Sequence, residues 1–156
     1  MLGIKFAHLI ERHSRGLADS LVHQLHENER TSAFRNIPAD DLREDVHELY
    51  LHLTEWLVTK TEGDVAERQE RLGNYRASQH IPIEQFLWAI IVSKRNIFEF
   101  LKREVTADVP YELMFEMEFM QSLDEFFDRA IYYAIAGYVH HQAQESAHNT
   151  RTQIRA

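Results

Sequence analysis

No cysteine occurs in the sequence, which excludes disulfides and thiolate metal sites and makes a cytoplasmic setting the expectation. There are only three prolines and five glycines in 156 residues, so the chain has few places to turn sharply. Long hydrophobic runs are missing too: the longest, Ala130 to Val139, is about half a membrane span. No signal peptide is visible, because Lys5 and Glu11 flank a very short apolar start. Basic residues are outnumbered, 17 against 25 acids, for a net charge of −8. That balance argues against nucleic acid and anionic membrane as partners. Strand-like alternation is absent, as are a glycine-rich phosphate loop, a nucleophile elbow and a Cys–His pair. Nothing reads as an active site, and the chain is not expected to be an enzyme.

What is present is helical spacing almost throughout. The expectation is one all-α domain over residues 1–142, with about five helices and a long last one, followed by a polar, flexible tail over 143–156. The organising stretch is Tyr75 to Glu104. Pro82 stands at a first helical position, Glu84 in the first turn, and Lys102 and Arg103 in the last, in agreement with the helix dipole. From Phe86 to Val92 the pattern is apolar nearly all round, so this helix should be central.

The other segments are read from the same periodicity. About Ile4 to Glu29 carries a stripe of Leu9, Leu17, Leu21 and Leu25, with Ser14 to Gly16 as a place to break. Thr31 to Asp41 is a connection, and Asp40 or Asp41 can cap the next helix. That helix shows Leu42, Val46, Leu49, Leu53 and Leu57. A turn is expected at Lys60 to Asp64, around Gly63, and another break at Thr106 to Pro110. Val65 to Gln79 is helical but weakly apolar, with Glu67, Arg68, Glu70 and Arg71 as a solvated face.

The last helix, about Tyr111 to Gln144, has two apolar stripes. One includes Leu123, Phe127, Ile131, Ala134 and Tyr138; the other holds Phe115, Phe119, Phe126, Ala130 and Tyr133. Two stripes need two partners: the chain's own core, and either a second subunit or deeper burial in the same monomer. The aromatic stripe of Phe115, Phe119, Phe126 and Tyr133 is the expected homodimer interface, because aromatic residues are enriched in interface cores.

Ten histidines prompt a search for metal ligands. Two Glu-x-x-His matches, Glu44/His47 and Glu145/His148, are the units of a di-iron carboxylate bundle. The second lies in the polar tail, so surface histidines and no metal are the expectation. Lys94 shares a stripe with Ile90 and Ile97; it should snorkel, the alternative being a buried pair with Asp124 or Asp128. His148, Arg151 and Thr152 match part of the phospho-acceptor box of histidine kinases, which makes His148 a minor phosphotransfer candidate.

A family resemblance runs through Arg35-Asn36-Ile37-Pro38-Ala39, then Leu49 to Leu57, then Arg76-Ala77, Ile81 to Leu87 and Lys94-Arg95. It ends in Phe126 to Ala130 and Gly137-Tyr138. The series resembles the N-terminal sensory domain of RsbT co-antagonist stress regulators of the RsbR/RsbRD type, a domain that also precedes some bacterial histidine kinases. It covers about Leu17 to Tyr138. The resemblance implies an all-α, helix-bundle or globin-like input domain, dimeric, with its last helix joined to an output domain. This sequence stops soon after that helix, so a separate signalling protein is the expected partner. His80-Ile81-Pro82-Ile83 is also similar to the F–G corner of myoglobins. There a haem-ligating histidine precedes the proline by seven residues, the place held here by Tyr75. Tyrosine can ligate ferric haem, but the missing histidine implies a relative without haem. A haem- or metal-binding sensor and a phosphotransfer fragment are the alternatives to a non-enzymatic sensory domain.

Overall fold

The computed structural model describes residues 2–104 and 110–155, with side chains for 5–104 and 117–155. Six α-helices and one 3-10 stretch make up the described residues: α1 Leu2–Arg12, α2 Ser14–Glu27, the 3-10 stretch Glu29–Asn36, α3 Ala39–Thr59, α4 Glu62–Ser78, α5 Ile83–Glu104 and α6 Pro110–Arg155. The all-α expectation holds, with a higher helix count. The first segment breaks at His13, and part of the connection after α2 winds into the 3-10 turn, opened by Asn28, whose side chain accepts from Arg30 N at 2.9 Å. The expected break near Thr106 lies largely outside the described residues.

Helix ends differ from expectation in instructive ways. Asp40 and Asp41 sit inside the first turn of α3 rather than capping it, which places both carboxylates where the helix dipole favours them. The turn after α3 closes on Lys60 in the left-handed region (φ 55°), while Gly63 lies within α4. At the end of α4, His80 is left-handed (φ 59°). There His80 N donates to Ala77 O and Ile81 N to Arg76 O, the paired bonds of a Schellman cap. Pro82 then stands one residue ahead of α5, its carbonyl accepting from Gln85 N and Phe86 N at 3.0 Å.

One continuous core joins α1, α2, α3, α5 and α6, with Tyr50, Phe34, Phe86, Phe126 and Phe127 among its largest fully buried side chains. A polar network crosses it. Asn96 on α5 donates to Leu17 O and to the Tyr50 hydroxyl, both at 3.0 Å, and accepts from Gln24 Nε2 at 2.9 Å. Burial dominates at Tyr50 and pushes its phenol well above the usual tyrosine range, against the opposing pull of Asn96, so the hydroxyl stays protonated. A second tie is the ion pair Arg76–Asp45 at 2.8 Å, with the guanidinium buried and bonded also to Gln79.

The most extensive helix–helix contact is between α4 and α6, and glycines permit it. A Cβ on Gly73 would run into the Ala134 carbonyl, and one on Gly137 into the Glu70 carbonyl. The two backbones touch where side chains would hold them apart. α5 was expected to be enclosed on several sides. It buries Phe86, Ala89, Ile90, Val92, Ile97, Phe100 and Leu101, yet Leu87 and Ile91 remain partly exposed. One face of this helix is therefore uncovered.

Candidate functional site

Both apolar stripes of α6 turn inward. Phe119 packs on Phe6 of α1 with ring centroids 4.7 Å apart, and Phe126 packs on Trp56 of α3 at 5.7 Å. Both phenylalanines are buried, and Tyr133, partly buried, donates to Glu62 Oε1 at 3.1 Å. Phe119 and Phe126 are thus core residues, and the expected interface stripe is corrected: α1, α3 and α4 already cover it. The Phe115 side chain lies outside the described residues.

A third face of α6 runs along the edge of the core, with Ile131 and Ile135 partly buried against it and Tyr132 and Val139 exposed. Asp128, Ile131, Tyr132, Ile135, Ala136, Val139, His140 and Ala143 line one open groove along the helix. They recur at three- and four-residue steps, so they share a face. Tyr132 is 68% exposed and Val139 50%. α5 runs antiparallel beside it, tied by Phe86 stacking on Tyr138 at one end and by the Lys94–Asp124 ion pair at the other. Leu87 and Ile91 fall between those ties in the sequence. Lys94 both snorkels and pairs: it is part-buried, and its head meets a largely exposed Asp124.

The helix also continues through the stretch expected to be a flexible tail. Residues 142–155 are helical and exposed throughout, because Gln, Ala, Glu and Arg are adequate helix formers without burial. This end outruns the bundle by roughly 20 Å at 1.5 Å per residue. His148 is exposed on it, its carbonyl accepting from Thr152 Oγ1 at 3.0 Å.

Tyr75 is 48% exposed and lines an open polar groove between α4 and α6 with Glu67, Glu70, Arg71, Asn74 and His140. Among the described residues, no three His, Asp or Glu side chains converge as a metal site requires. At His52, partial burial first, and then the Arg68 cation, pull the pKa down to about 4. Sequence reasoning passed over it, because its environment depends on where α4 folds back.

No curated protein and no solved structure matches the chain. The family match is with the RsbT co-antagonist protein rsbRD N-terminal domain, over residues 15–153. It spans α2 to α6, including most of the exposed C-terminal end, and the helical bundle agrees with it. The chain belongs to the RsbT co-antagonist rsbRD N-terminal domain family.

Proposed function

We propose that this protein is a non-enzymatic, cytoplasmic sensory domain that works as a homodimer through the outer face of α6 and reports to a separate signalling protein. Family membership supports the stress-signalling role. The observation that carries the dimer is the open groove on the longest helix where Tyr132 and Val139 are exposed beside the partly buried Ile131 and Ile135. Large apolar side chains gathered in one exposed strip mark an interaction site. A second copy is the partner that the same strip fits by symmetry, with Asp128 and His140 as polar rim. The exposed end of α6 carries any change of packing outward, to where a partner can read it. A signal then acts by preferring one packing of the dimer over another. The domain works without haem, since the position compared with the haem ligand is an exposed tyrosine beside Glu67 and Glu70. Measuring the oligomeric state of the protein and of a Val139→Glu variant tests the proposal.

A further inference from the structure

A narrow cavity opens between α3 and α4 and reaches inward to α5. Its volume is about 40 Å³, and its lining includes Val46, Leu49, Leu72, Ala89, Ile90 and Ser93. α3 and α4 make little direct contact, so space is left between them. Burial grades the wall from outside to inside. Leu49 and Leu72 are partly exposed and form the rim. Val46, Ala89, Ile90 and Ser93 form the floor, each buried yet keeping 5–6% of its surface open.

Size and wall chemistry together select the occupant. An apolar cavity of about 150 Å³ admits benzene or xenon, whereas one water needs roughly 10–15 Å³. At about 40 Å³ the site is too small for an aromatic ring and takes about two or three non-hydrogen atoms.

The polar groups of the wall are already engaged. Ser93 Oγ donates to the Ala89 carbonyl at 2.8 Å. The Arg76 guanidinium, also in the lining, donates to the rim carboxylate Asp45 and to Gln79, each at 2.8 Å. A water on the apolar floor would lack the roughly two to four partners it needs. A nonpolar guest instead restores the dispersion contacts that an empty wall forgoes.

We propose that this cavity binds a small nonpolar molecule of about two or three heavy atoms, such as a short hydrocarbon. The inference rests on the sensory reading for its purpose, names the class of signal, and takes nothing from the dimer face. Leu72 at the rim is followed by Gly73, whose backbone abuts the Ala134 carbonyl of α6. A guest that moves α4 therefore moves α6, because no flexible side chain separates the two backbones there.

Xenon is the probe, applied at rising pressure to the full chain carrying ¹⁵N and ¹³C-labelled Ile, Leu and Val methyl groups. The expected result is a saturable shift of the Val46, Leu49, Leu72 and Ile90 methyl signals. Ile10 and Leu123, buried elsewhere in the core, should stay still. The Gly73 and Ala134 amides should shift with the same saturation. Ala89→Val grows two methyl groups into the floor and should weaken binding at least about fivefold. Val46→Ile makes a smaller addition to the same floor and should weaken binding too, so the location is tested even where Ala89→Val fails to fold. No saturable shift would mean that the cavity holds water or closes in solution, and would overturn the proposal. Equal shifts at Ile10 and Leu123 would show unspecific uptake by the core and overturn it as well. Undiminished binding in both variants would put the site elsewhere, and unmoved Gly73 and Ala134 amides would overturn the coupling to α6. None of these outcomes depends on oligomeric state, so this inference and the dimer fail separately.

Discussion

Asn96 on α5 donates to the Tyr50 hydroxyl on α3 at 3.0 Å, and Tyr50 in turn donates back to the Ser93 carbonyl of α5 at 3.3 Å. With Ser20 and Gln24 of α2 donating to Asn96 Oδ1, three helices are fixed in register by one side chain. Asn96→Ala should destabilise the fold by about 2–3 kcal/mol, because it strands several buried groups at once. Ser20→Ala, at the exposed edge, should cost less than about 1 kcal/mol. Urea unfolding of both variants checks the contrast; equal effects would mean the network is not cooperative.

The glycines divide by environment. Gly73→Ala or Gly137→Ala forces a methyl group into the facing backbone of α6 or α4, and each should cost about 1–3 kcal/mol. Gly16 and Gly63 lie in helices with open space around them. Alanine there should stabilise by about 0.5–1 kcal/mol. Thermal melts of the four variants should show opposite signs for the two pairs.

His52 gives the fold a pH dependence of known sign. Its folded pKa is near 4, below the ordinary 6.5, so the unfolded chain binds the extra proton first. The contribution is fully present above pH 6.5 and is lost as pH falls to about 4. A shift of that size corresponds to at most about 3 kcal/mol, and to nearer 1 with solvent screening at a half-buried site. His52→Gln should flatten the stability profile between pH 6.5 and 4, as read by denaturant midpoints.

Haemin titration tests Tyr75. No saturable Soret shift is expected, since its ring stands in an open polar groove. A stoichiometric shift abolished by Tyr75→Phe would instead make it an axial ligand.

Much of this architecture was legible in the sequence. The stripes of α2, α3 and α5 announced their buried faces, and Leu17, Leu21, Leu25, Leu42, Val46 and Ile90 are all in the core. α4 reads as weakly apolar, and its face of Glu67, Glu70 and Arg71 is exposed; what periodicity did not reveal is the close docking on α6, because that contact is made through the backbone at Gly73. On α6 the error was one of face. Aromatic residues drew attention to Phe119 and Phe126, which Phe6 and Trp56 cover, while the apolar side chains left exposed are Tyr132 and Val139, beside the half-covered Ile131 and Ile135. A helix apolar on three sides does not say which side its neighbours leave open.

Light scattering on size-exclusion eluates at tens of micromolar, where a micromolar dissociation constant shows, tests the central claim most directly. Val139 is half exposed, so Val139→Glu puts a charge into the proposed interface without disturbing the core. The parent should elute with the mass of a dimer, twice its 18.5 kDa, and Val139→Glu as a monomer with unchanged helical circular dichroism. A monomeric parent, or a variant that stays dimeric, would contradict the account.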